Sequence, residues 1–475
     1  MDELTYFLDN KINEECGVFG IYNVKDAASL TYFGLHALQH RGQEACGIAT
    51  SDGQNVECIK GKGLISEVFN NDIIDQMKGD SAIGHVRYST AGGNVIENVQ
   101  PIMVRAHTGH FGIVHNGQIV NANEIKIALE DEGRIFQGSS DSEVLVHLIQ
   151  KEEGSMVYKI MKACAKLEGA FAFIIITTDC IYAVRDKNGL RPLSYAKVDD
   201  GYCISSETCA YDIVNGKFVR DLNPGEVVRF AKDGIQTFNY CDADKIQHRM
   251  CSMEYIYFAR PDSVIEGLNV HNVRKESGKI LARKDALDNF EADMVIGVPD
   301  SSLSAAIGYA EESGLPYELG LIKNRYVGRT FIQPSQQLRE RGVRMKLSAI
   351  SAIVKGKNIV MIDDSIVRGT TSKRIVHLLK DAGAKSVHVR IASPEYVSCC
   401  FYGVDTATYD QLISAQKDVE ELRAYINAES LKFMSLDELQ MACKGVGLCT
   451  ACFSHEYPTK LYGYQKMVRE RKNVK

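Results

Sequence analysis

Two adjacent carboxylates, Asp363 and Asp364, close a short apolar run formed by Ile359, Val360, Met361 and Ile362. A loop carrying Ser365, Arg368, Gly369, Thr370 and Thr371 follows them. The run reads as a buried strand, and the amphipathic pattern from about Ser372 reads as a helix. Backbone N–H groups and hydroxyls at such a helix start favour phosphate, as does the helix dipole. Two carboxylates repel phosphate, so their part is to hold ribose hydroxyls or a magnesium ion. The stretch therefore asks for a ligand with both a phosphate and a vicinal diol. Cys449 and Cys452 stand as C-x2-C near the other end of the chain, a spacing that metals favour.

The elements around these residues come from the whole chain. At 475 residues it has room for about two to four domains. It is 45% hydrophobic and 24% charged, and no apolar run is long enough to cross a bilayer. A net charge of -6 and a pI near 6.1 argue against a nucleic-acid surface. The first fifteen residues, MDELTYFLDNKINEE, are acidic and lack the basic start and apolar core of a secretory signal, so a cytoplasmic protein is expected. The 14 cysteines are many for a reducing compartment, and the chain is too long for a disulfide scaffold, so some of them are expected to do chemistry.

VMIDDSIVRGTT, residues 360–371, resembles the 5-phosphoribosyl-1-pyrophosphate (PRPP) motif of the type I phosphoribosyltransferases. The resemblance implies that Asp363 and Asp364 grip the ribose while Ser365, Arg368, Gly369, Thr370 and Thr371 bind the 5-phosphate. Residues 294–314 form another strand, turn and helix, in which PDSS would be the pyrophosphate loop, with Ser301 a magnesium ligand beside Asp363 and Asp364. Residues 323–346 are unusually basic. Such a run is most often a solvated face, but between two phosphate loops it suits a flap closing over PRPP, with Lys323, Arg325, Arg344 and Lys346 meeting the pyrophosphate charge.

In the first half, CGVFGIYN at Cys16 is followed in order by QHRGQE, GHVRYST, HNGQIVN and SSDSEV. A lone cysteine before glycine is ordinarily a small buried hydrophobe, and HNG alone is a good turn sequence. Together the motifs resemble the class II glutamine amidotransferases, whose catalytic cysteine becomes N-terminal on removal of what precedes it. The family implies a four-layered α/β/β/α N-terminal-nucleophile fold. A free thiol has a pKa near 8.5 and an α-amine about 8, so one terminal residue can supply nucleophile and base. Asn116 and Gly117 would hold the oxyanion, Arg87 the glutamine carboxylate and Asp141 its ammonium. Arg41 and residues 88–90 would support them, and His85 and His115 would position loops. NGLRPL (188–193) and SSET (205–208) fit this half without a catalytic role.

The full order of motifs resembles the amidophosphoribosyltransferases. It implies residues 1–15 as a propeptide, 16–250 as the glutaminase, 251–400 as an α/β phosphoribosyltransferase and 401–475 as a C-terminal helical, cluster-binding segment. Cys251, Cys400, Cys449 and Cys452 match the branch with a [4Fe-4S] cluster. Four thiolates suit zinc as well, and Cys399 and Cys443 are close rivals. Glutamine and PRPP would be the substrates, magnesium a cofactor, purine nucleotides the inhibitors and a homotetramer the assembly, without nucleic acid or membrane. Two rivals are a hexosamine-forming synthase, which should carry sugar-isomerase domains instead of VMIDDSIVRGTT, and a PRPP-sensing regulator, which should carry a basic nucleic-acid surface and no glutamine site.

Overall fold

The computed structural model describes residues 16–88, 95–106, 109–287, 291–324, 347–404 and 408–465. In the strand Gly17–Tyr22 every residue is buried, with Phe19 and Ile21 on one face and Val18 and Tyr22 on the other. A strand apolar on both faces must lie between two layers. The strand Gly169–Thr177 does the same, with Ala172, Ile174 and Ile176 on one side and Phe171, Phe173 and Ile175 on the other.

These strands belong to two antiparallel sheets packed face to face. The first runs in the order Lys217–Asp221, Ser194–Val198, Gly201–Ser205, Gly17–Tyr22, Ser81–Arg87, Ala45–Ser51, Val56–Lys62. The second runs Gly234–Asn239, Glu226–Ala231, Ile181–Arg185, Gly169–Thr177, Gly109–Ile119, Ile102–Ala106. Helix Ala27–Ala37 covers the outer face of the first, and helices Glu143–Lys151 and Met156–Cys164 cover that of the second. The result is the expected α/β/β/α stack.

The second half is built on a parallel sheet in the order Met294–Gly297, Asn358–Asp363, Ser386–Ile391, Ser430–Phe433. Val360 and Ile362 face helices Val270–Asp285 and Leu303–Ser313, while Ile359 and Met361 face helices Thr370–Asp381 and Val419–Ile426. The first helix pair approaches to backbone contact. A Cβ at Gly278 would stand 1.8 Å from the Ala305 carbonyl oxygen, and one at Gly308 would stand 1.9 Å from that of Lys275.

The segment after residue 400 has helices, two of them opened by capping boxes at Asp418 and Ser435, and its strand Ser430–Phe433 completes the parallel sheet. It also returns to residue 250, where Met250–Cys251 pairs in parallel with Leu448–Cys449. Among the described residues no helix is long and apolar enough to cross a membrane.

Candidate active sites

Cys16 stands half-buried at the start of the central strand Gly17–Tyr22, and its Sγ donates to the Tyr88 carbonyl oxygen at 3.7 Å. Arg87 ends the neighbouring strand, Ser81–Arg87. The glycine of QHRGQE has a steric reason, since a Cβ on Gly42 would lie 2.6 Å from Arg87 backbone atoms.

On the facing sheet, Asn116 is fully buried, and neither its Nδ2 nor its Oδ1 has a hydrogen-bond partner among the described residues. A buried unpaired amide costs about 1–3 kcal/mol, which is accounted for if a ligand completes it. Gly117 has φ +134°, and an added Cβ would meet the Ala170 carbonyl oxygen at 2.2 Å, so only glycine fits. Asp141 accepts from the Ile119 N–H at 2.8 Å and stays partly open. The two histidines of these motifs are bonded within the frame around Asn116. His85 Nε2 bonds the His115 carbonyl at 3.0 Å, and the His115 ring bonds Ser142 Oγ at 2.8 Å. Burial, with the Arg87 charge adding to it, lowers the His85 pKa to about 3; burial likewise lowers that of His115.

Arg41 is placed behind this site. Its guanidinium is buried, paired with both Glu207 and Glu254. Glu254 also faces Arg191 at 3.6 Å, and Arg191 donates to the Tyr402 carbonyl. Burial raises the Glu207 carboxyl, but the Arg41 and His40 charges outweigh it and hold its pKa well below the usual range. The network joins QHRGQE, SSET, NGLRPL and the junction segment. The sequence carried no signal for Glu254, which sits in an otherwise apolar run.

In the second half the strand Asn358–Asp363 delivers the two acids to a loop that crosses from helix Leu303–Ser313. Ser301 Oγ donates to Asp364, and Ser302 Oγ to Asp363 at 3.2 Å. Ser365 Oγ donates to Asp364 at 2.8 Å. Both carboxylates are nearly buried, at 3% and 4% exposure. Gly369, with φ +73°, caps helix Thr370–Asp381. A small cavity runs along Asp363, Asp364, Ser365, Arg368, Gly369 and Thr371, with Tyr257 on its wall. Thr370 opens the helix beside it. The donor set of carboxylates and hydroxyls fits a hard divalent cation. Lys323 pairs with Asp300 at 2.8 Å on the open side of the PDSS loop. Arg325, Arg344 and Lys346 lie outside the described residues, as do 1–15 and 89–90.

A separate small cavity is lined by Cys251, Cys400, Cys449 and Cys452, together with Arg191, Tyr396 and Tyr402. Cys399 and Cys443 do not line it; the Cys399 carbonyl accepts from Tyr457 Oη at 2.7 Å. The Tyr402 N–H donates to Cys400 Sγ at 3.3 Å. Four thiols on one cavity wall are a donor set that suits zinc or an iron–sulfur group alike.

Comparison with known proteins is consistent in both halves. A glutamine amidotransferase domain family matches residues 85–212, and a phosphoribosyl transferase domain family matches residues 267–394. The amidophosphoribosyltransferase of Bacillus subtilis (strain 168) is 53% identical over 463 residues, covering 95% of each chain. That of Staphylococcus aureus (strain MRSA252) is 51% identical, covering 96% of this chain and 93% of that one. A solved structure of glutamine PRPP amidotransferase from B. subtilis, complexed with ADP and GMP, superposes with a TM-score of 0.89 at 51% identity, covering 94% of this chain and 98% of that one. A second, described as the allosteric regulatory enzyme of purine biosynthesis, gives 0.90 at 51% identity, over 94% and 97%.

Proposed function

This chain belongs to the amidophosphoribosyltransferase family, and on that footing we propose which of its own residues carry each step of glutamine-dependent amide transfer to PRPP. The reaction gives 5-phosphoribosylamine, pyrophosphate and glutamate, the first committed step of purine synthesis.

Removal of residues 1–15 frees the Cys16 α-amine, which takes the thiol proton. The thiolate attacks the side-chain carbonyl carbon of glutamine while Arg87 and Asp141 hold its carboxylate and ammonium. The Asn116 amide and the Gly117 N–H receive the oxyanion. The Cys16 α-ammonium gives that proton to the amide nitrogen as the C–N bond breaks, ammonia leaves, and water hydrolyses the thioester to glutamate. In the second half Asp363 and Asp364 grip the ribose, and Ser365, Arg368, Gly369, Thr370 and Thr371 bind the 5-phosphate. Lys323, Arg325, Arg344 and Lys346 close on the pyrophosphate. Ammonia forms a bond to C1 as the C1–O bond to pyrophosphate breaks. Magnesium, held by Ser301, Asp363 and Asp364, would supply positive charge to the leaving group. Cys251, Cys400, Cys449 and Cys452 would hold a [4Fe-4S] cluster that ties the C-terminal segment to the junction.

One observation supports the serial reading: a short chain of contacts links the two sites. A Cβ on Gly17, next to the nucleophile, would stand 3.4 Å from Arg41 Cδ, Arg41 pairs with Glu254, and three residues on Tyr257 lines the cavity of Asp363 and Asp364. Ammonia must cross this boundary without meeting bulk water, where it would be protonated. Purine-nucleotide inhibition, a homotetramer and a cytoplasmic location complete the proposal, and the nucleotides bound to the B. subtilis enzyme support the first. Replacing Cys16 with Ala tests the division of labour. Glutamine-dependent synthesis is expected to vanish while ammonia-dependent synthesis persists; loss of both would refute two separable sites.

A further inference from the structure

Tyr396 is fully buried, and its hydroxyl has no hydrogen-bond partner among the described residues. It lines the same cavity as Cys251, Cys400, Cys449 and Cys452. Its ring is fixed edge-on against Phe453, with centroids 5.7 Å apart at an interplanar angle of 82°, and Phe453 adjoins Cys452 in the turn Ala451–Ser454. The backbone between Tyr396 and Cys400 is also tied to this turn, since the Val397 and Ser398 N–H groups donate to the Cys452 carbonyl at 2.9 and 3.0 Å. The phenol thus has little freedom to turn away and find another acceptor.

The neighbouring hydroxyls make the contrast. Tyr402 Oη pairs with Thr459 Oγ1 at 2.9 Å, Tyr457 Oη donates to the Cys399 carbonyl, and Tyr409 Oη pairs with Ser398 Oγ at 2.9 Å. Tyr402 and Tyr396 both line the cavity, but the Tyr402 hydroxyl is satisfied by Thr459, whereas that of Tyr396 has no partner among the described residues. A buried hydroxyl without a partner is destabilising, and the acceptors that would remove this cost are sulfurs held within the cavity.

We propose that the Tyr396 hydroxyl donates a hydrogen bond to a sulfur of the iron–sulfur group held by Cys251, Cys400, Cys449 and Cys452; this rests on the cluster reading above. Tyr396 is then a tuning residue outside the ligand set. A donor to a cluster sulfur stabilises the more electron-rich state and so raises the reduction potential.

The test uses the full chain and Tyr396→Phe, which keeps the ring and removes one oxygen. Iron and sulfide analysis of the unsubstituted protein reads the cluster itself, and their absence there defeats the cluster reading. With the cluster present, Tyr396→Phe is expected to keep a full complement of iron and sulfide but to shift its midpoint potential to more negative values. Resonance Raman of the unsubstituted protein and Tyr396→Phe, each expressed in ordinary and in deuterated medium, provides a second readout. An iron–sulfur stretching mode should move further on deuteration in the unsubstituted protein than in Tyr396→Phe, where the Tyr402 N–H bond to Cys400 Sγ still contributes. An unchanged potential in a fully loaded variant, or deuterium shifts that are equal in the two proteins, overturns the assignment.

Discussion

Arg41 and Glu254 face each other as a buried ion pair between the glutaminase sheet and the segment that leads into the phosphoribosyltransferase half, with Arg41 Nη1 donating to Glu254 Oε1 at 3.3 Å. Arg41 reaches Glu207 as well, and Glu254 reaches Arg191, so two cations and two anions are stitched together where water is excluded. Taking one charge from such a set leaves the others uncompensated. Glu254→Gln is therefore expected to lower stability by about 3 kcal/mol, read as a shift in the unfolding midpoint. It should also lower glutamine-dependent synthesis more than ammonia-dependent synthesis, because the contacts that link the sites loosen. Equal losses in both would remove Glu254 from the coupling.

Asn116 makes the opposite case. Its buried amide has no partner among the described residues, so Asn116→Ala should leave stability within about 1 kcal/mol of the parent while glutaminase kcat falls about 10²–10³-fold. A variant that unfolds easily but hydrolyses glutamine normally would show that the amide serves packing.

The pocket at the strand end is tested by Asp364→Asn. Asp364 accepts from Ser301 and Ser365 and lies on the cavity wall. The KM for PRPP should rise, and ammonia-dependent synthesis should fall by at least about tenfold. Hydrolysis of glutamine by Cys16 in the absence of PRPP should be unchanged.

Acid sensitivity follows from His85. Its folded pKa, about 3, lies below the ordinary value of 6.5 because burial disfavours the cation. The unfolded chain binds the proton first, so the stability that His85 contributes is complete above about pH 6.5 and is lost as pH falls toward 3, by about 1.4 kcal/mol per pH unit. Unfolding midpoints measured at pH 7 and pH 5 should therefore converge in His85→Gln relative to the parent. An unaltered pH dependence would mean that other groups control it.

Much of this was legible where the signal is local. The run ending in Asp363 is a strand, and the helix after it begins at Thr370, two residues before the amphipathic pattern suggested, because Gly369 adopts the left-handed conformation that caps it. The strands around residues 169–177 and 226–231 were readable from apolar runs. The place of Ser430–Phe433 was not, since four residues between two helices carry too little pattern to assign them to a sheet. Cys400 and Cys399 differ only in which way adjacent side chains point, which tertiary packing decides. Arg41 matched a motif, but its burial depended on Glu254, which is 213 residues away and in no motif.

The central claim is that ammonia passes from Cys16 to the sugar held at Asp363 and Asp364 without entering the solvent. Competition between amide-labelled glutamine and an excess of unlabelled ammonium salt measures this directly. The account predicts that 5-phosphoribosylamine carries the label in proportion to the glutamine consumed, whatever the ammonium concentration. A label fraction that falls in step with the bulk ammonia pool would contradict it.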